Sequence, residues 1–285
     1  MKRLALVLVL VLTQACAQST FYGQLEPLGS FPSELKEVSG IETSPSGDIW
    51  VIEDSDNKDK IYNVDKKAQL TKSLKIDKAK NKDWEDLALD NNGNLYIGDF
   101  GNNDNERKDL TIYKVSKSEL AKKEPKATKI QFRYPEQKSF PPEKDSLYFD
   151  TEGLLHWDGH LYIFTKNRTR PYSGKTLIYR IPDNDGEYSA ESLGSLFLCG
   201  DKDQCSVTGA DISPDGKTIA LLSYGLVFLL TDFELSNFSK ANIKIVDLDC
   251  QTQIESISFL NDTTLLIADE RNKHGGGNLY QYRFQ

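Results

Sequence analysis

The stretch that decides the fold runs from Asp83 to Val115 and reads DWEDLALDNNGNLYIGDFGNNDNERKDLTIYKV. Its apolar residues fall in short runs, and polar segments rich in Asn, Asp and Gly separate those runs. Asx-Gly turns supply the positive φ angles that hairpins need, and β-branched and aromatic residues favour strands. No helical period of 3.6 residues competes with this pattern. The stretch therefore predicts an antiparallel sheet.

The same pattern recurs along the chain and predicts a ring of sheets. The first strands of the successive units begin near Val38, Asp83, Phe149, Val207 and Ile254. The last unit has room for only three strands, while a lone strand at Leu25–Phe31 precedes the first unit. Radial repetition of four-stranded sheets is a β-propeller. We predict an all-β propeller of five four-stranded blades closed by this N-terminal strand, and six blades stay open as the alternative if Ala121–Pro142 holds further strands.

The N-terminus has the features of a secretory signal. Lys2 and Arg3 precede a short apolar run, and small residues follow around Cys16. This order predicts a signal peptide over residues 1–17 and a single propeller domain over residues 18–285. Ala15-Cys16-Ala17 fits a peptidase site, and Cys16 also fits the lipidated cysteine of a bacterial lipoprotein. We expect a secreted, periplasmic or outer-membrane protein that meets a membrane only through a lipid anchor.

The net charge of the chain limits the classes of partner. The sequence contains 43 acidic and 35 basic residues, and loss of a signal peptide with its two basic residues would leave about −10. Such a surface argues against nucleic acid and anionic membranes as partners.

In an oxidising compartment, Cys199 and Cys205 are predicted to form a disulfide. Cys250 is then either free or a competitor for one of them, and three unpaired thiols remain the alternative.

Acidic residues recur near the starts of the first strands of the units. The set comprises Glu42, Asp86, Glu152, Asp211 and Glu255. Alignment of the units on their turns places Asp86, Glu152 and Glu255 at one position and the other two acids two residues later. Because strand side chains alternate, all five are expected on one side, at one mouth of the central channel. Such oxygens suit a hard cation such as Ca²⁺, whereas turn capping is the structural alternative.

Basic residues occur in the loops predicted at the same mouth. Lys166, Arg168 and Arg271 follow second strands, and Asp99 and Asn103 lie in the corresponding region of the second unit. Five converging carboxylates repel unless they are protonated, paired or bound to metal. The basic residues therefore predict either a site for a small anionic ligand or an internal network of ion pairs. For the ligand site we select Lys166, Arg168, Arg271, Asp99 and Asn103.

These repeat motifs resemble a known group of propellers. The acidic strand starts, the turns Ser213–Gly216 (SPDG) and Asp90–Gly93 (DNNG), and the run Leu95–Asp99 (LYIGD) are similar to those of NHL-type and phytase-like secreted bacterial propellers, a group that includes gluconolactonase-like enzymes. The resemblance implies a channel Ca²⁺ site. On that basis, Glu42, Glu152 and Asp211 would be ligands, with Asp99 or Asn103 beside them.

Three functions follow as hypotheses. The first is an extracytoplasmic binding or scaffolding protein with a polar, Ca²⁺-binding funnel, whose partner is a small anionic ligand or an envelope protein. The second is a metal-dependent hydrolase of an ester, lactone or phosphoester, and the third is a purely structural surface lipoprotein. No P-loop, zinc-ligand spacing or G-x-S-x-G nucleophile motif is present in the sequence.

Overall fold

Five β-sheets form a ring in the computed structural model, which describes residues 22–273 and 275–284. The predicted signal sequence and Cys16 lie outside these residues. Among the residues described, no helix is both long and apolar enough to cross a membrane. The fold is the predicted five-bladed β-propeller.

The elements follow one another in regular order. The first two units contain β1 (Glu26–Ser30), β2 (Val38–Thr43), β3 (Ile49–Glu53), β4 (Lys60–Val64), β5 (Leu70–Lys75), β6 (Trp84–Leu89), β7 (Leu95–Asp99), β8 (Thr111–Val115), helix α1 (Lys117–Leu120) and β9 (Thr128–Arg133). The third contains a 3₁₀ turn (Lys144–Ser146), β10 (Asp150–Trp157), β11 (His160–Lys166), β12 (Lys175–Pro182), β13 (Gly186–Ser189) and β14 (Glu191–Phe197). The remainder contains α2 (Lys202–Cys205), β15 (Gly209–Ile212), β16 (Ile219–Leu222), β17 (Leu226–Thr231), a 3₁₀ turn (Phe238–Lys240), β18 (Asn242–Asp247), β19 (Ile254–Asn261), β20 (Thr264–Asp269) and β21 (Asn278–Arg283).

The N-terminal strand closes the ring as predicted. Strand β1 pairs antiparallel with β21, so that Pro27 faces Tyr280 and Gly29 faces Leu279. It thereby completes a four-stranded sheet with β21, β20 and β19. Phe31, just beyond β1, is buried in the cluster between the last and the first blade. Closure between the two ends of the chain makes the ring depend on contacts that are distant in sequence.

The alternative of six blades is wrong. The segment Ala121–Pro142 contributes β9, which is a strand of the second blade and pairs with β8. The sequence did not predict that β13 would add to β9 in parallel and widen this blade to five strands. The added strand covers an edge that would otherwise expose unpaired backbone groups.

Apolar side chains fill the spaces between neighbouring blades. One cluster joins Tyr96 of the second blade to Tyr179 of the third, and another joins Phe164 of the third to Phe228 of the fourth. Blades therefore bury both of their faces, and every residue of β3 and β7 is buried. The strands β2, β6, β10, β15 and β19 contact one another around the ring and line its central channel. This packing holds the channel side chains on a rigid frame.

Candidate functional site

A bulge near the start of three inner strands creates an upper level of acids in the channel. Strand pairing skips Glu85 in β6, Glu152 in β10 and Glu255 in β19. A bulge changes the direction of a side chain and often lies beside a functional site. The prediction that placed Asp86 at this level is wrong, because alignment on turns misses the extra residue. Glu85, not Asp86, is the counterpart of Glu152 and Glu255.

Asp86 lies one level deeper and connects three blades. One of its carboxylate oxygens accepts a hydrogen bond from the Leu87 N–H at 2.8 Å. The other accepts from the N–H groups of Leu154, at 2.8 Å, and Ala210, at 3.1 Å. Burial raises the pKa of Asp86, and these N–H groups oppose that rise. Asp86 therefore serves as an acceptor that joins the second blade to the third and fourth.

Glu42 and Asp211 lie deeper still, toward the opposite end of the channel. Glu42 accepts hydrogen bonds from the Thr43 N–H at 2.7 Å and the Ser258 hydroxyl at 3.2 Å. Asp211 accepts one from the Phe259 N–H at 2.6 Å. Burial raises the pKa of Asp211 to about 7, and burial together with Asp211 raises the pKa of Glu42. The prediction of five acids at one mouth is wrong, because the acids occupy successive levels along the axis.

An ion-pair network occupies one side of the upper level. The Lys166 ammonium lies 3.0 Å from Glu152 Oε1. Arg168 lies 2.6 Å from Asp150 Oδ2 and 3.3 Å from Glu152 Oε1, and it also contacts Asn103. Lys166, Asp150 and Glu152 are buried. Of the two predicted roles for these basic residues, the geometry matches the internal network, since their charged groups already have carboxylate partners.

Two further residues selected for the ligand site have other partners. Asp99 accepts hydrogen bonds from Arg107 at 3.1 Å and from the Asp83 N–H at 3.0 Å. Arg271 donates to the Phe31 carbonyl at 2.6 Å and thus holds the segment that closes the ring. The prediction that Arg271 joins Lys166 and Arg168 is therefore wrong.

Glu85 is the exception among the channel acids, because its carboxylate has no partner. Its exposed fraction is 8 %, and the part of the chain that the structure describes offers it neither a hydrogen bond nor an ion pair. Oxygens of Glu85, Asp54 and Asp83 lie within 4.8 Å of one another, as do oxygens of Glu85, Asp150 and Glu152. The carboxylates form two trios that share Glu85.

The two trios differ in whether basic side chains form ion pairs with their carboxylates. Lys166 and Arg168 neutralise Asp150 and Glu152. Across residues 22–273 and 275–284, no basic side chain forms an ion pair with a carboxylate of the trio Asp54, Asp83 and Glu85, which we call the open trio. Burial and then the Asp54 carboxylate raise the pKa of Asp83 to about 7. Burial and neighbouring acids, Glu152 first among them, raise the pKa of Glu85 well above its usual range.

Gly101 packs directly against the open trio. A Cβ atom at this position would lie 2.1 Å from Glu85 Oε1 and 2.5 Å from Asp83 Oδ2. Arg107 donates to the Gly101 carbonyl at 2.8 Å and fixes the loop there. The absence of a side chain at Gly101 thus allows the Glu85 and Asp83 carboxylates to lie against the loop backbone, where even a methyl group would overlap them.

Sequence reasoning missed the open trio. Asp54 and Asp83 lie in loops before and after strands, where acids are common. Glu85 was visible as an acid beside Asp86, but only the bulge separates their roles. Glu152 and Glu255 each precede a small residue, Gly153 and Ser256, whereas Glu85 precedes Asp86, so the sequence around Glu85 carries no matching signal.

Cys199, Cys205 and Cys250 lie in connections between an outer strand and the next inner strand, at the same end of the channel. The sulfur atoms of Cys199 and Cys205 are bonded, with their Cα atoms 5.8 Å apart. Cys250 is a half-buried free thiol, and burial raises its pKa. Cys250 also lines a cavity with Tyr224, whose ring lies 5.3 Å from the Lys166 ammonium.

Comparisons with known proteins identify the fold and leave the activity open. No protein-family model matches the sequence, and no curated protein matches it. The chain is similar in structure to the PQQ-bound aldose sugar dehydrogenase of Streptomyces coelicolor, with a TM-score of 0.54, 11% identity, and 91% of this chain and 97% of that chain covered. It is also similar to a gluconolactonase of Xanthomonas campestris, with a TM-score of 0.47, 12% identity and coverages of 87% and 72%. The neighbours are β-propellers, and at these identities the similarity extends to the fold alone.

Proposed function

We propose that this chain is an extracytoplasmic binding protein whose funnel holds a Ca²⁺ ion at the open trio, Asp54, Asp83 and Glu85. The observation that supports the proposal is Glu85, a residue more than nine-tenths buried whose carboxylate has no partner among the described residues. An isolated buried carboxylate is costly unless it is protonated, paired or bound to metal. Ca²⁺ prefers carboxylate and other oxygen ligands. A cation would therefore neutralise the carboxylates of the open trio, with which no basic side chain of the described residues forms an ion pair.

The chemistry of the donor set fits a hard cation. All three side chains offer carboxylate oxygens within 4.8 Å of one another, and the lack of a Cβ at Gly101 allows two of them to lie against the loop backbone. The competing trio already holds Lys166 and Arg168 in the place of a cation. We therefore assign the cation to the open trio and retain the ion-pair network as its rigid wall.

The open trio also leaves room for a partner. Asp54 and Asp83 are half-buried, and Ca²⁺ takes about six to eight oxygen ligands, more than three side chains supply. The remaining positions would accept water or the oxygen atoms of a small anionic ligand or envelope protein. The acidic surface does not favour nucleic acid. The Cys199–Cys205 disulfide supports an oxidising, extracytoplasmic location, with Cys16 as the proposed lipid anchor.

A metal-dependent hydrolase of an ester, lactone or phosphoester is the second candidate. The observation that favours it is the same set of unfilled coordination positions, because a catalytic metal must keep a position for water or substrate. Under this candidate the phytase-like or gluconolactonase-like resemblance of the sequence would extend to activity. The two candidates share the cation and differ in whether turnover follows binding.

Calorimetric titration of EDTA-treated protein with Ca²⁺ tests the proposal. We expect one site per chain, and at a hundredfold excess over Kd the folded state should gain about 2.7 kcal/mol. Gly101→Ala should weaken binding at least tenfold, since the new Cβ fills the space beside Glu85 and Asp83. Gly200→Ala is the matched control, because a Cβ there meets no atom within 4 Å. Equal affinity in these two variants, or no binding by the wild type, would overturn the proposal.

A second variant separates lost binding from lost folding. Glu85→Gln removes the ionisable carboxyl group and keeps the shape, so it should stabilise the metal-free protein while weakening Ca²⁺ binding. The same samples, assayed with nitrophenyl ester and phosphate substrates, distinguish the two candidates. Ca²⁺-dependent turnover that Gly101→Ala abolishes supports the hydrolase, whereas Ca²⁺ binding without turnover of these substrates supports the binding protein.

A further inference from the structure

A cavity of about 220 Å³ lies beside the outer part of the second blade. It opens between the loop that precedes β8 and the segment that follows β9. Its floor is apolar, since Leu110, Phe132 and Tyr134 line it and are each at least 95% buried. Phe140 stands at the rim with an exposed fraction of 36%. The cavity therefore has an aromatic wall and floor.

The charged residues that line this cavity are all basic. They are Arg107, Lys108 and Arg133, and no acidic residue lines the cavity. This composition is unusual in a chain with a net charge of −8. Arg107 is paired with Asp99, but over the described residues Lys108 and Arg133 form no ion pair. Two of the basic residues that line this apolar cavity therefore have no carboxylate partner among the described residues.

Lys108 contacts the aromatic ring at the rim of the cavity, Phe140. The Lys108 ammonium lies 4.9 Å from the centre of the Phe140 ring. A cation held over an aromatic face keeps its remaining donors for a further partner. Gln137 donates to the Asn105 carbonyl at 2.8 Å, so the loop behind the cavity is braced. These contacts give the cavity a fixed wall before any ligand arrives.

We infer that this cavity binds a small aromatic carboxylate. The ring would pack on Phe132, Leu110 and Tyr134, and the carboxylate would accept hydrogen bonds from Lys108 and Arg133. The volume of 220 Å³ corresponds to about seven waters at their liquid volume, which suits one ring rather than a larger ligand. Binding requires both parts, because the apolar floor supplies burial and the cations supply charge recognition.

Ligand-observed and protein-observed NMR titrations with benzoate test this inference. Acetate carries the charge without the ring, and benzyl alcohol carries the ring without the charge. We expect saturable binding of benzoate at one site, with each of the other two probes at least tenfold weaker. Because the cavity shares no residue with the open trio, benzoate should bind equally in Ca²⁺ and in EDTA, so this test does not depend on the proposed function.

Substitutions locate the site. The double variant Lys108→Met and Arg133→Met should weaken benzoate binding at least tenfold, and Phe140→Ala should weaken it several-fold. All three side chains are exposed, so the variants should keep the wild-type melting temperature. Arg283→Met, which removes an exposed arginine far from the cavity along the chain, is the control and should bind normally. Absence of saturable benzoate binding, or equal binding by the double variant and the control, overturns the inference.

Discussion

Replacement of Asp86 tests whether the acids deep in the channel stabilise the fold. Asp86 is fully buried and accepts three backbone hydrogen bonds, from Leu87, Leu154 and Ala210. Two of these donors belong to other blades, Leu154 to the third and Ala210 to the fourth. If Asp86 joins the blades, its loss should destabilise the protein whether or not Ca²⁺ is present.

The magnitude follows from the number of donors that lose their acceptor. A buried donor left unsatisfied costs about 1–3 kcal/mol. Asp86→Ala removes both oxygens and so should cost about 3–9 kcal/mol for the three donors. Asp86→Asn keeps one oxygen, which can still serve Leu154 and Ala210, while its amide NH₂ faces the Leu87 N–H. That variant should cost about 1–3 kcal/mol.

Urea unfolding followed by circular dichroism measures both losses. Asp104→Ala, at an exposed loop acid, is the control and should change the free energy of unfolding by less than about 0.5 kcal/mol. A larger loss of stability for Asp86→Ala than for Asp86→Asn indicates that the loss follows the number of acceptor oxygens removed. The reasoning is refuted if Asp86→Ala and Asp86→Asn are equally stable, or if either matches the control. Asp86→Asn should also bind Ca²⁺ normally, because Asp86 is not part of the open trio.

Two further predictions concern pH and ring closure. In EDTA, the free energy of unfolding should fall as pH rises from about 5 to about 8, because burial raises the folded-state pKa of Glu85, of Asp83 to about 7 and of Glu270 to about 8. The folded state then holds protons that the unfolded state has released, with a slope of up to about 1.4 kcal/mol per pH unit for each such group. Urea unfolding at each pH measures the free energy of unfolding, and a free energy that rises between about pH 5 and about pH 8 contradicts the account. Phe31→Ala should lower the free energy of unfolding by about 3–5 kcal/mol, because it opens a cavity where β1 closes the ring. Glu26→Ala, at an exposed position of β1, is the control and should change stability little. Equal decreases in melting temperature for the two variants would contradict the closure argument.

The blade count was predictable because its signals are local. Turns such as Asp90–Gly93 and alternating runs such as Leu95–Asp99 specify hairpins without reference to the rest of the chain. Counting strands then left Leu25–Phe31 unpaired at one end and a three-stranded unit at the other. Strand β13 escaped prediction because its parallel partner β9 is distant in sequence. Glu187 of β13 faces Gln131 of β9, 56 residues earlier, and the strands β10, β11 and β12 lie between them in the chain.

The candidate site was only partly predictable, because a shift of one residue along a strand determines which acid lies at the upper level of the channel. The sequence located acids at the inner strands and basic partners at Lys166 and Arg168. It could not show the bulge that moves Glu85 to the upper level and leaves Asp86 below it. A shift of one residue changes which way a strand side chain points, so alignment on turns of unequal length cannot resolve it. Gly101 carries no pattern of its own, and its role appears only from its distance to Glu85.

A crystal structure of the protein soaked with Ca²⁺ tests the central claim most directly. The account predicts one strong density peak with carboxylate oxygens of Glu85 and Asp83 at about 2.3–2.6 Å, the usual Ca²⁺–oxygen distance. The peak should be absent from Gly101→Ala crystals soaked in the same way. A cation found instead beside Glu42 and Asp211 at the other end of the channel, or a Glu85 carboxylate that stays without a cation in saturating Ca²⁺, would contradict the account.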